Sequence, residues 1–193
     1  MTAKKILILE GGYNEEHEVS LNSSSEIKKI LDRINIKYSC IKVNPKNFEN
    51  KITKYKNYVC FNALHGSFGE DGRIQKILKK NKIRFTHSSF TSSKNCFDKV
   101  IAKKIISNNK ILTPDYTILN KKDLNYNNLL ILKKKYKQFI IKPNYSGSSF
   151  GIKIIKNNKD LIDFINQIEK FKNEISFHNK IIIEKFISGK ELT

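Results

Sequence analysis

The sequence predicts an α/β protein in which a Rossmann-like parallel-sheet domain precedes a second domain built around a β-hairpin. In the first half, short apolar runs such as residues 5–9 alternate with segments of helical periodicity, as parallel βα units require. Two of these runs end in turn-forming residues, at Gly11-Gly12 and at His65-Gly66. In the second half, two apolar runs flank a loop of small residues, which is typical of a hairpin.

The first domain is predicted to cover residues 1–93. Apolar runs predict strands at residues 5–9, 38–43, 58–62 and 83–86. Apolar side chains three and four residues apart predict helices at residues 20–34 and 72–80. The serine-rich segment 88–93 is interpreted as a hinge. Ligands of such sheets bind at the carboxyl ends of the strands, so the glycine turns mark a candidate site.

The second domain is predicted to cover residues 94–193. A helix with Phe97, Val100, Ile101 and Ile105 on one side opens it, and a short strand over 113–118 follows. The pattern then predicts one surface helix within 120–137, a strong helix over 161–171 and a last strand over 180–186. Strands at 139–142 and 152–156 enclose the loop 143–151 and complete the hairpin.

The composition is strongly basic. Of 193 residues, 37 are Lys or Arg and 18 are Asp or Glu, which gives a formal net charge of +19. This charge fits a nucleic-acid-binding protein, but it also fits a chain from an A+T-rich genome, whose codons favour Lys, Asn and Ile. The second interpretation is favoured because the lysines are spread along the whole chain. We therefore predict no nucleic-acid partner.

Targeting and redox features predict a cytoplasmic protein. No apolar stretch has the length needed to span a bilayer, and the apolar run at residues 6–9 is too short for a signal-peptide core. We therefore predict no membrane association. Cys40, Cys60 and Cys96 have no CxxC spacing and fit reduced thiols, and the histidines show no zinc-like spacing with them.

The loop after residue 142 is the first candidate binding site. Small residues there let the backbone approach a ligand and can surround a phosphate with N–H and hydroxyl groups. These residues are Gly147, Ser148, Ser149 and Gly151. The alternative is a flexible surface turn, since no P-loop motif occurs. Lys142 ends the preceding strand, where a half-buried lysine needs an anionic partner unless its stem carries the ammonium to solvent.

The glycine turns of the first domain carry two further candidates. Glu16 follows Gly11-Gly12 and could pair with a substrate ammonium, although ordinary acidity at a helix N-terminus is favoured from the residues alone. His65 follows a strand and could orient a carboxylate. A loop histidine with satisfied hydrogen bonds is the favoured alternative for His65.

Taken together, the motifs resemble the D-alanine–D-alanine ligase family. The chain carries, in the family's order, GG-x-x-x-E-H-E-V-S, LHG-x-x-GEDG-x-I-Q, F-D-K-x-x-x-K, IIKP-x-x-x-GSS-x-G-I and IIEKFISGKE-x-T. The resemblance covers residues 5–193. Any one motif alone would be weak, whereas HG-x-x-GEDG combined with KP-x-x-x-GSS-x-G is highly specific.

The resemblance implies the ATP-grasp fold and an ATP-dependent reaction. An N-terminal substrate-binding α/β domain is followed by a central domain whose hairpin flap covers ATP. The family uses ATP with Mg²⁺ (or Mn²⁺) to convert one D-alanine into an acyl phosphate. The amine of a second D-alanine attacks this intermediate, and the dipeptide serves peptidoglycan synthesis. The intact family is commonly homodimeric.

The same resemblance implies roles for individual residues. Glu16 would bind the ammonium of the first D-alanine, Ser148 would hydrogen-bond toward Glu16 and the substrate as a second catalytic residue, and His65 would line that site. Lys99 and Lys142 would bind the ATP phosphates. Further ATP contacts would come from the loop residues Gly147, Ser148, Ser149 and Gly151 and, for adenine and ribose, from Glu184, Lys185, Ile187 and Glu191.

The sequence departs from the family pattern at its end. The family's C-terminal domain, which holds the metal ligands, has no counterpart before Thr193. We therefore interpret the chain as a fragment, an engineered truncation or part of a split enzyme. We expect no activity from it alone and an exposed apolar face around Ile181, Ile183 and Phe186. The alternatives are another ATP-grasp carboxylate–amine ligase or a basic nucleic-acid-binding protein, and the second substrate stays open among D-alanine, D-lactate and D-serine.

Overall fold

The computed structural model describes residues 5–147, 149–175 and 179–190. The chain divides into two compact units, Met1–Phe97 and Asp98–Thr193. Sequence analysis placed the boundary four residues earlier, between residues 93 and 94. Each unit has its own sheet and its own hydrophobic core.

A four-stranded parallel sheet organises the first unit. Its strands are β1 (Lys5–Gly11), β2 (Tyr38–Val43), β3 (Tyr58–Asn62) and β4 (Arg84–Phe85), in the order β2-β1-β3-β4. Its helices are α1 (His17–Arg33), α2 (Phe48–Ile52), α3 (Arg73–Lys80) and α4 (Phe90–Phe97). Leu7 on β1 and Cys60 on β3 are paired in register and fully buried. The predicted parallel α/β sheet is therefore confirmed.

The segment interpreted as a hinge is largely helical. Only its first two residues, Ser88 and Ser89, precede α4. The Ser89 hydroxyl accepts a hydrogen bond from the Ser92 N–H at 3.3 Å, so a serine that suggested flexibility instead supports a helix N-terminus. The short helix α2 was not predicted, because Phe48 and Ile52 are too few to show helical periodicity.

A four-stranded antiparallel sheet organises the second unit. Its strands are β5 (Tyr116–Asn120), β6 (Phe139–Pro143), β7 (Lys153–Ile155) and β8 (Lys180–Lys185), in the order β5-β8-β6-β7. Its helices are α5 (Lys99–Asn108), α6 (Tyr126–Tyr136), α7 (Asn158–Asn166) and α8 (Ile168–Glu174). The pairing of β6 with β7 confirms the predicted hairpin.

Two helices predicted as continuous are each broken in two. The helix predicted through Phe97 and Ile105 breaks at Asp98, whose extended backbone caps α5. The helix predicted over 161–171 breaks at Gln167, whose N–H bonds the Phe164 carbonyl at 3.0 Å. The second break brings Phe164 and Phe171 into edge-to-face contact, with ring centroids 5.2 Å apart in the core.

The expectation of an exposed apolar face around Ile181 and Ile183 was wrong. Both side chains are fully buried, because α6, α7 and α8 contribute Leu129, Phe164 and other side chains to the core that covers them. Successive strand side chains point to opposite faces, so the neighbouring Glu184 lies on the other face of the sheet. Within the described part of the chain, every helix is too short or too polar to cross a bilayer.

Candidate functional site

In the first unit, the turn after β1 is tied to the loop after β3. Asn14 makes this connection by donating its side-chain amide to the carbonyls of His65 (2.8 Å) and Ser67 (3.1 Å). The Asn14 Oδ1 accepts the Glu16 N–H at 3.1 Å, and Glu16 is almost fully buried just before α1. The structure therefore brings Glu16 and His65 to the same edge of the parallel sheet.

Gly66 makes room for the Glu16 carboxylate. Its φ is +66°, a left-handed conformation that favours glycine. A Cβ at Gly66 would collide with the Glu16 carboxylate and would lie 2.9 Å from the Asn14 side-chain nitrogen. A side chain at position 66 is thus excluded both by backbone conformation and by space.

His65 faces a cleft within the first unit that has both apolar and polar lining residues. Its Nε2 lies 2.9 Å from the Ser23 hydroxyl of α1, and its Nδ1 lies 3.8 Å from the Glu70 carboxylate. The cleft has a volume of about 500 Å³, and His87 and Cys96 also line it. Burial lowers the pKa of His87, which favours a neutral imidazole there. Ser23 was not identified from the sequence, because a serine within a run of serines carries no signal.

In the second unit, Lys99 lies under the loop after β6. Its Nζ donates to the Ser146 carbonyl at 2.6 Å and to the Asn144 carbonyl at 3.3 Å. Burial, with a smaller contribution from the positive charge of Lys142, lowers the pKa of Lys99 to about 8. The two lysines expected on phosphates therefore influence each other electrostatically.

Three residues anchor the start of this loop to the first turn of α5. We call Asp98, Asn144 and Tyr145 the Asp98 latch. The Asp98 carboxylate accepts hydrogen bonds from the Asn144 amide (3.0 Å), the Ile101 N–H (2.9 Å) and the Tyr145 hydroxyl. Burial would raise the pKa of Asp98, but these hydrogen bonds outweigh it and hold the pKa below its ordinary value. The latch was not predicted from the sequence.

Glu184 on β8 pairs with two lysines. Its carboxylate lies 2.6 Å from the Lys142 Nζ and 3.0 Å from the Lys103 Nζ. Lys103 is buried on α5, and its Nζ also donates to the Thr113 hydroxyl (2.6 Å) and the Pro114 carbonyl (3.1 Å). Sequence analysis gave Lys103 no role, although the spacing F-D-K-x-x-x-K places it one helical turn after Lys99.

The other predicted ATP-contacting residues are more exposed or lie outside the described residues. Ser149 and Gly151 adopt positive φ values of 61° and 66°, and the Phe150 N–H bonds the Gly147 carbonyl at 2.9 Å, so the loop forms a tight turn. Lys185 and Ile187 are exposed. Ser148 and Glu191 lie outside the described residues.

Fold and site together define a two-sheet α/β protein with a carboxylate-and-histidine cleft in one unit and an anion-attracting lysine cluster in the other. Residues 105–193 match the family model described as "D-ala D-ala ligase C-terminus". A D-alanine–D-alanine ligase of Pelagibacter ubique is 40% identical over 190 residues, which span 98% of this chain and 60% of that protein. The resemblance recognised in the motifs is thereby confirmed: the chain is similar to D-alanine–D-alanine ligases along nearly its whole length.

Solved structures support the same relationship. The crystal structure of the D-alanine–D-alanine ligase from Bacillus anthracis superposes with a TM-score of 0.78 at 32% identity, covering 97% of this chain and 59% of that one. A structure of the Bacillus anthracis ligase described as complexed with ATP gives a TM-score of 0.76 at 31% identity and covers 97% of this chain and 60% of that one. The chain thus spans about 60% of the length of the relatives it matches.

Proposed function

We propose that this chain provides the first-substrate and nucleotide-binding parts of an ATP-dependent D-alanine–D-alanine ligase serving peptidoglycan synthesis in the cytoplasm. The observation that carries the proposal is the placement of Lys99 beneath the small-residue loop, with its pKa lowered to about 8 by burial and by Lys142. Two ammonium groups that repel each other at a glycine-rich loop suit a polyphosphate. The relationship to the ligases makes ATP that polyphosphate.

In the proposed reaction, a carboxylate oxygen of the first D-alanine attacks the γ-phosphorus of ATP and ADP leaves. The amine of a second D-alanine then attacks the resulting acyl phosphate. The new C–N bond forms as the C–O bond to phosphate breaks, and the amine releases a proton. Lys99 and Lys142 would neutralise charge on the transferred group, and a fixed cation does so without reorganisation during the reaction.

Glu16 is proposed to hold the ammonium of the first D-alanine beside His65, and Ser148, which lies outside the described residues, keeps the catalytic role that the resemblance implies. Burial of Glu16 supports its role, because a buried carboxylate gains from a cationic partner. The loop residues Gly147, Ser149 and Gly151 are proposed to approach the phosphates. Adenine and ribose contacts are proposed for the strand end and the segment after it, at Glu184, Lys185, Ile187 and Glu191.

Magnesium is proposed to accompany ATP, and the resemblance implies that its protein ligands belong to the family's C-terminal domain. Across residues 5–147, 149–175 and 179–190, no three His, Cys, Asp or Glu side chains are grouped to hold a metal ion. From the same resemblance we propose that this chain alone does not catalyse the full reaction. A homodimer like that of the intact family is also proposed.

Ligand titration of the chain tests the proposal. We expect calorimetry to detect ATP binding, with Lys99→Met abolishing it and Lys104→Met, an exposed lysine of the same helix, leaving it unchanged. We expect NMR titration to detect D-alanine binding, with Glu16→Gln weakening it and the exposed neighbour Glu15→Gln not doing so. ATP binding that survives Lys99→Met would overturn the nucleotide assignment.

A further inference from the structure

The carboxylate of Glu184 already pairs with Lys142, the lysine that the proposed function assigns to phosphate. The Lys142–Glu184 pair is short, at 2.6 Å, and the two side chains are 22% and 7% exposed. Lys142 must therefore exchange this carboxylate for a phosphate when nucleotide binds. Such an exchange costs free energy, because it removes one partner from a buried charge.

Lys103 is placed to reduce that cost. Its ammonium lies 3.0 Å from Glu184, and its side chain is 8% exposed. It is fixed independently of Lys142, through hydrogen bonds to Thr113 and Pro114 and through the Tyr116 ring, whose centroid lies 4.9 Å away. Glu184 therefore keeps a buried cationic partner when Lys142 departs.

We infer that Lys103 is a positioning residue for phosphate binding: it retains Glu184 so that Lys142 is free to bind the polyphosphate. This inference rests on the proposed function, since it takes the phosphates of ATP as the ligand. Lys103 itself need not touch the nucleotide. Among the described residues, Lys103 and Lys142 are the lysines paired with Glu184, so without Lys103 the carboxylate would hold Lys142 more tightly.

Two single substitutions should then act in opposite directions. Glu184→Gln removes the negative charge that competes for Lys142, so tripolyphosphate should bind roughly three- to tenfold more tightly. Lys103→Met leaves Glu184 dependent on Lys142, so tripolyphosphate should bind about tenfold more weakly. In the double variant the competing charge is absent, so affinity should return at least to that of the unaltered chain.

The experiment is calorimetric titration of the chain and these variants with tripolyphosphate and, separately, adenosine. A matched control is the exposed pair on α1, Lys29→Met and Glu26→Gln, whose Nζ–Oε1 distance is 2.7 Å and whose loss should change neither affinity. Urea unfolding identifies any variant that is not folded. Adenosine is the control for Lys103→Met, because general damage to the nucleotide site would weaken adenosine and tripolyphosphate together. For Glu184→Gln, which removes a proposed adenine contact, only tripolyphosphate affinity is compared.

The outcomes distinguish this inference from the proposed function. Recovery of tripolyphosphate affinity in the double variant, or a gain in Glu184→Gln alone if Lys103→Met does not fold, supports the positioning role. A double variant as weak as Lys103→Met, or no gain in Glu184→Gln, overturns the positioning role while the proposed function stands. Failure of the unaltered chain to bind either ATP or tripolyphosphate overturns the proposed function and this inference with it.

Discussion

The two units build their polar sites by different means. In the first unit, neutral groups shape the site: Asn14 bridges two loops, and Gly66 leaves space for the Glu16 carboxylate. In the second unit, charges shape it: Lys103 and Lys142 share Glu184, and Lys99 has a pKa of about 8. A site that depends on free space should be destabilised when an atom is added, whereas the affinity of a site that depends on charge should change with pH.

The largest effect is expected from an added atom in the first unit. Gly66→Ala forces a left-handed backbone on alanine, which costs roughly 1–2 kcal/mol, and adds a collision with Glu16. We expect urea unfolding to show that the free energy of unfolding falls by about 3 kcal/mol.

Gly12→Ala is the matched control for this substitution. Gly12 has a φ of +91°, but its Cβ would meet the Leu64 Cδ2 at an ordinary 3.7 Å. Gly12→Ala should therefore lower the free energy of unfolding only by the cost of the backbone conformation, about 1 kcal/mol. Equal losses in the two variants would show that the space beside Glu16 is not what requires glycine at position 66.

The Asp98 latch should make the second unit sensitive to acid. Because the folded pKa of Asp98 is lowered from 3.8, its carboxylate contributes stability above pH 3.8, and this is lost as pH falls through the folded pKa. Asp98→Asn should lower the free energy of unfolding by about 2 kcal/mol at pH 7 and by less at pH 3, measured by urea unfolding. The exposed Asp163→Asn is the control, and a loss that is the same at both pH values would contradict the assignment.

Polyphosphate affinity should fall as the Lys99 ammonium loses its proton. Its pKa of about 8 should rise when an anion binds, so the bound form takes up a proton above that pH. Between pH 7 and pH 9, tripolyphosphate affinity should fall by about tenfold relative to Lys99→Arg, since arginine stays charged. Parallel pH profiles for the unaltered chain and Lys99→Arg would contradict this prediction.

The smallest effect is expected from the neutral hydroxyl of the latch. Tyr145→Phe should lower the free energy of unfolding by about 1 kcal/mol. The hydrogen bond to Asp98 raises the pKa of Tyr145 to about 12, with burial adding to the shift. Ultraviolet titration of the unaltered chain minus that of Tyr145→Phe isolates the ionisation of Tyr145 and should show that pKa. Asp98→Asn should lower the Tyr145 pKa. A Tyr145 titration indifferent to Asp98→Asn would exclude the latch.

Local pattern was sufficient to predict the strands and the glycine turns. The predicted strands over residues 38–43 and 58–62 coincide with β2 and β3, because a short apolar run between turn residues has few other ways to be buried. The turn that carries Glu16 and the loop that carries His65 meet as strand order requires, since carboxyl ends of parallel strands share one edge. The motifs sufficed to identify the family.

Features set by contacts distant in sequence could not be predicted. The break at Gln167 accompanies the contact between Phe164 and Phe171, whereas periodicity alone predicts one continuous helix across it. Ile183 was expected to be exposed because the family's C-terminal domain was taken to cover its face, and nothing local in the sequence shows that helices of the same unit cover it instead. Lys103 has no distinguishing signal in a lysine-rich chain, and only its burial against Glu184 singles it out.

The buried thiol of Cys60 allows opening of the first unit's sheet to be followed by chemical modification. The thiolate is the reactive form of cysteine, and burial raises the pKa of Cys60 to about 12. Burial also raises the pKa of Cys40 and should slow its reaction. Alkylating reagents at neutral pH should therefore modify exposed Cys96 first and Cys40 more slowly, but Cys60 only in molecules whose parallel sheet has opened. The rate of the Cys60 modification would report how often β3 separates from its neighbours under native conditions, without any denaturant or introduced label.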